Sequence, residues 1–319
     1  MAYFLVVVGL ALLFGGGEAL VRGGVGLSRR LGFSPLLIGL VVMSAGTSAP
    51  ELLVALRAVG AGHPDIATGN IIGSNIANIL LILGIAALIR SVPTSPKVVF
   101  RDGLVMLLAS VAFVVFAWDG EITRYDSWLL LLGLLLFMLV SFGLDWRRPS
   151  PHSVFATRAA SRSNGDLPFT MSLFYVALGI ALLYFGAGFL LDGSLAIARR
   201  LNWPEPLTGL TLVAVGTSLP ELIVTVRATM KGQAGLAIGN VIGSNIFNIL
   251  GVLGVAAAVR PVKVDPMLAH QDAIIMTLVA AALLPLLLPQ WRLSQRAGLG
   301  LVIGYVAYLV FLAVRLSFF

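Results

Sequence analysis

AGTSAPELLVALRA, from Ala45 to Ala58, returns as VGTSLPELIVTVRA, from Val215 to Ala228. Downstream, GNIIGSNIANIL at Gly69 to Leu80 returns as GNVIGSNIFNIL at Gly239 to Leu250. Thr47 and Thr217 lie 170 residues apart, and so do Ser74 and Ser244. The same register pairs Arg29 and Arg30 with Arg199 and Arg200, and Asp102 with Asp272. Roughly half the positions between Gly39 and Arg90 are identical to their partners, more than a shared apolar composition produces. The chain is a tandem duplication. Each copy sets Thr, Ser, Pro and Glu into a run otherwise as apolar as a membrane helix.

The rest of the chain identifies the medium. Of 319 residues, 59% are hydrophobic and 11% charged, with mean hydropathy +1.00, a balance foreign to soluble globular domains. Apolar runs of about 20 residues, long enough to cross a bilayer, centre on 3–22, 34–59, 66–89, 103–118, 127–144, 169–191, 206–229, 236–259, 270–289 and 297–315. The expected fold is an all-α polytopic membrane protein of ten transmembrane helices. An odd number of spans per copy makes the second enter the membrane from the opposite side, so the expectation is two inverted five-helix repeats. Residues 1–144 form the first repeat, with its duplicated segment at about 39–90, and 169–319 the second, with its segment at about 209–260. Between them, 145–168 is rich in Ser, Pro and Arg and reads as a linker.

With no cysteine, neither a disulfide framework nor a thiolate metal site is available. The opening MAYFLVVVGL lacks a basic leader and runs on without a clear cleavage site, so it reads as a retained first helix. A net charge of +7 does not indicate nucleic acid, because the basic residues fall mostly in loops between spans. About two thirds of them fall in alternate loops beginning with Arg22, Arg29 and Arg30. That bias puts both termini outside and the 145–168 linker in the cytoplasm, for a multi-pass protein of the plasma (inner) membrane. The lipid bilayer is the expected surrounding, and no required protein partner is evident.

Thr47 and Glu51 are four apart and Ser48 and Glu51 three apart, so a helix turns all three to one side. Pro50 has no amide hydrogen and its ring meets the carbonyl of Gly46, which breaks or kinks the helix and frees carbonyl oxygens. Membranes tolerate such backbone only where it is buried in protein or lines a cavity. Thr217, Ser218, Pro220 and Glu221 repeat the arrangement. Asn70, Ser74 and Asn78, and again Asn240, Ser244 and Asn248, form polar stripes at steps of four, flanked by Gly69, Gly73, Gly239 and Gly243, which allow close helix approach. The motifs hold carboxylates, hydroxyls, amides and loosened carbonyls but no His, Cys, Lys or Arg. An all-oxygen set suits hard cations such as calcium. Two glutamates balance one divalent ion; when it leaves, sodium or protons must replace it, since each ionised group at mid-bilayer costs about 2.5–3.5 kcal/mol. Ser48 and Ser218 lack a basic partner for nucleophilic catalysis, so an enzyme is not expected, nor any cofactor. Asn75 and Asn245 turn away from the stripes and read as structural, as do Glu18 and Asp192; His63, His152 and His270 fall at loops or span ends and receive no metal role.

GTSAPE and GTSLPE, each followed about twenty residues later by GNIIGSN or GNVIGSN, resemble the alpha repeats of the cation/calcium antiporter superfamily, specifically bacterial and archaeal sodium/calcium exchangers. The resemblance implies that helices two, three, seven and eight enclose the ions while the first and sixth slide across them. It implies calcium at Glu51 and Glu221 with the carbonyls of Thr47 and Thr217. Sodium would use Ser48, Ser74, Ser218 and Ser244 with backbone oxygens of Ser44 and Ala214, and Asn78 and Asn248 would complete the central cluster. Relatives with aspartate at the position of Asn248 are familiar; asparagine removes one protonatable group there. The implied function is secondary active exchange of three sodium ions for one calcium by alternating access, an electrogenic calcium extrusion. A proton/calcium antiporter and a potassium-dependent sodium/calcium exchanger on the same fold are the alternatives.

Overall fold

A computed structural model of the chain describes residues 2–62, 64–96, 98–146, 167–200 and 214–317. The first copy begins with α1, Ala2–Leu31. Next come α2, Pro35–Thr47, and α3, Ala49–Ala61, a single rod bent by 41°. They are followed by α4, Pro64–Ile89, α5, Val98–Ala117, and α6, Arg124–Trp146. The second copy holds α7, Phe169–Arg200, α8, Ala214–Thr217, α9, Leu219–Met230, α10, Ala234–Val259, α11, Leu268–Leu287, and α12, Gln295–Ser317. Among the described residues, eight helices are long and apolar enough to cross a membrane, nine with the bent rod. The remaining expected span, 206–229, is described only from Ala214, and most of the 145–168 linker lies outside the described residues.

The rod breaks where the sequence places proline, but two residues earlier. Ser48 leaves helical geometry at φ −81° and ψ 6°, and Ser218 does the same at φ −86° and ψ 5°. Pro50 cannot donate to the Gly46 carbonyl, and it restricts the residue before it. The turn therefore falls at Ser48, and the helix restarts with proline in its first turn, where no amide hydrogen is needed.

The two copies run through the membrane in opposite senses. Asp65, at the start of α4, accepts a hydrogen bond from the Asp265 amide at 3.2 Å, whereas Arg90, beyond its other end, lies beside Gly232. The turn after α3 and its counterpart after α9 thus sit at opposite faces. Two short clips tie the copies together: β1, Val92–Pro93, pairs antiparallel with β4, Arg292–Leu293, and β2, Glu121–Ile122, with β3, Val262–Lys263.

α1 and α7 lie antiparallel with their backbones touching. Gly9, Gly16 and Gly23 recur every seventh residue, and Gly179, Gly186 and Gly193 repeat them at the 170-residue offset. A Cβ on Gly179 would stand 2.6 Å from the Leu20 nitrogen, and one on Gly23 2.7 Å from the Ser172 carbonyl oxygen. The first helices of the two copies therefore share a glycine ladder of the kind that lets membrane helices approach closely. α4 and α10 are the most enclosed helices, with 78% and 83% of their apolar windows buried, against 22% for α6 and α12. The site must be sought between those two central helices and the bent rods.

Candidate ion-binding site

A cluster of polar side chains lies buried inside this apolar molecule. Glu51 and Glu221 are both 0% exposed, as are Ser44, Thr47, Ser74, Asn78, Asn240, Ser244 and Asn248. The bends at Ser48 and Ser218 aim each glutamate at the other copy. Ser218 Oγ donates to Glu51 Oε1 at 3.4 Å, and Ser48 Oγ donates to Glu221 Oε1 at 3.3 Å. Ser244 Oγ also donates to Glu221 Oε1 at 3.4 Å. Each carboxylate is thus held by the serine of the opposite repeat.

The threonines and the first asparagines lock helix to helix. Thr47 Oγ1 donates to Asn240 Oδ1 at 3.3 Å and lies 3.4 Å from Ser244 Oγ, while Thr217 Oγ1 donates to Asn70 Oδ1 at 3.1 Å. Asn240 Nδ2 in turn donates to Thr225 Oγ1 at 3.0 Å. The counterpart of Thr225 is Ala55, and Asn70 Nδ2 is accordingly left unpartnered. The Ser44 hydroxyl is committed to backbone, at 2.8 Å from Gly39 O and 3.1 Å from Asn240 O. Its own carbonyl accepts from Ser48 N at 2.9 Å and from Thr47 Oγ1 at 3.4 Å. Ala214 opens α8.

What remains unsatisfied defines the chemistry. Glu51 Oε2, Glu221 Oε2, Asn78 Oδ1, Asn248 Oδ1 and Ser74 Oγ are all buried without a hydrogen-bond partner. Native interiors rarely leave such atoms unpaired. Carboxylate, amide and hydroxyl oxygens are the atom types that a hard cation takes as ligands. Asn78 and Asn248 stand where α4 and α10 widen into π-helical turns, Asn78–Leu83 and Phe247–Leu253, a distortion frequent at functional sites. The glycines beside the stripes divide. A Cβ on Gly243 would lie 2.2 Å from Ser44 Oγ and one on Gly239 2.6 Å from the Leu36 carbonyl, so α10 and α2 touch. Gly69 meets Leu268 only at 4.0 Å.

Two features outside the motifs make the site one-sided. A cavity of about 330 Å³ runs from Thr217 and Pro50 past Val54 to Arg57 and Asp192, between α3 and α7. At the equivalent place in the other half, α1 lies flat on α9. A Cβ on Gly17 would stand 2.5 Å from Ile223 Cγ2, and Glu18 pairs with Arg227 and Lys231. The structural part that Glu18 plays is this ion pair between helices. Arg227 is the counterpart of Arg57, and no ion pair of Arg57 is found among the described residues.

The family model for sodium/calcium exchanger proteins matches residues 1–143 and 171–314. The chain belongs to that family. Among its relatives, the putative antiporter CaxA of Alkalimonas amylolytica is 35% identical over 319 residues, covering 100% of this chain and 99% of that one. The sodium/calcium exchanger MaX1 of Methanosarcina acetivorans is 32% identical over 342 residues, covering 97% and 98%. The solved sodium-calcium exchanger NCX_Mj superposes with a TM-score of 0.83 at 28% identity, covering 97% of both chains. The exchanger is therefore a multi-pass membrane transporter for cation/calcium exchange and not an enzyme, as the motifs led us to expect. Asn75, Asn245 and Glu18, read from sequence as structural, form hydrogen bonds or ion pairs around the site, and Thr225 was not singled out. The repetition of Asn75 and Asn245 within both GSN motifs was the available signal.

Proposed function

We propose that this exchanger extrudes calcium against entering sodium, with one calcium ion held between Glu51 and Glu221. The observation that carries the reading is the pair of fully buried carboxylates on the bent rods, each with an unpartnered oxygen, together with the unpartnered oxygens of Asn78, Asn248 and Ser74 on the central helices. Two negative charges and a flexible set of oxygens meet the needs of calcium, which takes about 6–8 oxygen ligands. The carbonyls of Thr47 and Thr217, beside the two bends, add to the carboxylates. Sodium occupies Ser48, Ser74, Ser218 and Ser244 with the backbone oxygens of Ser44 and Ala214, and Asn78 and Asn248 serve the centre. An empty site would strand two carboxylates at mid-bilayer at about 2.5–3.5 kcal/mol each. That cost favours obligatory exchange over leak.

Residues 1–144 and 169–319 each supply half of the ion site and one sliding helix, α1 or α7, of an alternating-access cycle, and the 145–168 linker joins them. The charge bias of the loops supports a cytoplasmic linker and external termini, so the cavity beside Arg57 and Asp192 opens outward. Three sodium ions for one calcium would move one net charge per cycle, coupling it to voltage by about 2.3 kcal/mol per 100 mV. The test is calcium uptake into proteoliposomes under sodium, potassium or proton gradients imposed in turn, with Glu51→Gln beside the parent chain. Sodium-driven uptake that responds to the sign of an imposed potential and is lost in Glu51→Gln is the expected result. Uptake driven by a pH gradient without sodium makes the proton the coupling ion, and a requirement for potassium marks the potassium-dependent variant. Normal transport by Glu51→Gln overturns the site.

A further inference from the structure

We infer that Asn75 and Asn245 are positioning residues that set the polarity of Asn248 and Asn78, turning both amide oxygens toward the cation. The inference rests on the ion site proposed above and concerns how its amides are oriented.

An asparagine side chain has two ends of nearly equal shape and opposite polarity. At a cation site the difference is decisive, because the oxygen coordinates and the NH2 group repels. What each end meets on its far side settles which one faces inward. Asn78 Nδ2 donates to Asn245 Oδ1 at 3.1 Å, and Asn248 Nδ2 donates to Asn75 Oδ1 at 3.1 Å. The two bonds are related by the 170-residue offset and cross between α4 and α10 in opposite directions. Both spend the NH2 group of the inner asparagine away from the site. Asn78 Oδ1 and Asn248 Oδ1 are the ends left without a partner, and both residues are 0% exposed.

The outer asparagines are themselves oriented by groups that can only accept. Asn75 Nδ2 faces the Asn245 carbonyl oxygen at 3.3 Å and the Met276 sulfur at 3.6 Å, and Asn245 Nδ2 faces the Met106 sulfur at 3.4 Å. Neither a carbonyl oxygen nor a thioether donates a hydrogen bond. With the outer NH2 groups directed there, the outer oxygens must face the inner NH2 groups. A flip of either inner amide would set oxygen against oxygen at a fully buried position, leaving buried groups unpaired. Polarity is therefore relayed from acceptor-only groups on α5, α10 and α11, through Asn75 and Asn245, to the ion. Asn75 and Asn245 touch no ion; they act through Asn248 and Asn78.

The test compares Asn75→Leu with Asn75→Asp in proteoliposomes, reading calcium KM and maximal rate separately. A protonated aspartic acid reproduces the wiring, its carbonyl accepting from Asn248 and its hydroxyl donating to the Asn245 carbonyl. Leucine keeps the bulk and deletes the wiring. The expected result is a calcium KM raised about tenfold in Asn75→Leu, the factor that 1.4 kcal/mol represents, and not raised in Asn75→Asp. A packing role predicts the reverse order, because buried leucine is tolerated better than a buried acid, and that order overturns the inference. The second measurement is the same pair of substitutions in an Asn248→Asp background. There both inner ends are oxygens and polarity no longer matters, so the KM penalty of Asn75→Leu over its own background shrinks. An undiminished penalty overturns the inference. If Asn75→Leu does not fold, Asn245→Leu and Asn245→Asp pose the same question at Asn78. Glu51→Gln in the same assay separates two failures. If it transports normally, the ion site itself is wrong and this inference falls with it; if it is inactive while Asn75→Leu keeps the parent KM, only the orienting role is wrong.

Discussion

At the scale of single residues, the exchanger keeps its reactive atoms unsatisfied and satisfies nearly everything around them. Glu51 and Glu221 each have one oxygen tied to a serine of the opposite repeat and one left open. Calcium at a hundredfold excess over its Kd should therefore stabilise the parent chain by about 2.7 kcal/mol. Glu51→Gln, lacking the charge, should show no such shift in thermal unfolding while remaining as stable as the parent without ions. An equal calcium shift in both proteins would exclude Glu51 as a ligand. Thr225→Ala supplies a purely structural contrast. It removes the nearer acceptor of Asn240 Nδ2 and leaves the Glu221 carbonyl at 3.4 Å, at a cost of about 0.5–1.5 kcal/mol measurable as a lowered Tm. The glutamates, threonines and serines were legible in the sequence because polar atoms in an apolar run announce themselves. The roles of Asn75 and Asn245 were not, because an amide's orientation depends on partners 170 residues away that helical periodicity cannot supply.

At the scale of elements, close approach is what brings those residues together. α2 and α10 touch at Gly239 and Gly243, where a Cβ would meet Leu36 O at 2.6 Å and Ser44 Oγ at 2.2 Å. Gly243→Ala should force the two helices apart, destabilising the protein by about 1–3 kcal/mol and loosening the hydroxyl network of Ser44 and Thr47. Gly60→Ala is the matched control, since nothing lies within 4 Å of its added methyl. It should hold or raise the Tm, as alanine replaces glycine in a helix at a gain of about 0.5–1 kcal/mol. Equal Tm values for the two variants would refute the contact. The breaks at Ser48 and Ser218 follow from Pro50 and Pro220, which the sequence displays. The ladder of Gly9, Gly16 and Gly23 against Gly179, Gly186 and Gly193 was also on display, at the same offset as the motifs. The match is diluted because many positions between those glycines differ between the copies, Gly17 against Ala187, Glu18 against Gly188 and Arg22 against Asp192 among them. The π-helical turns at Asn78 and Asn248 have no local signature, since an extra residue per turn is imposed by packing.

At the scale of the whole molecule, two chemically equivalent halves are held in unequal positions. α7 stands off α3 and leaves a cavity reaching Thr217, while α1 is pressed onto α9 through Gly17 and the pairing of Glu18 with Arg227 and Lys231. Duplication alone foretells two such gates but cannot say which is open, because sequence similarity between repeats is blind to the state of the cycle. Val54 lines the open cavity; its counterpart, Val224, is 0% exposed. The chain contains no cysteine, so Val54→Cys and Val224→Cys each report on one gate without background. Val54→Cys should react with a membrane-impermeant thiol reagent from one side only, and Val224→Cys should be protected. Adding Glu18→Gln removes the carboxylate that ties α1 to α9, so it should raise the reactivity of Val224→Cys from the opposite side and lower that of Val54→Cys. The coupling is expected from the glycine ladder, which packs α1 and α7 backbone to backbone, so that a shift of one helix carries the other. A passive pore would give a different pattern, with both positions labelled together and Glu18→Gln raising one rate without lowering its partner.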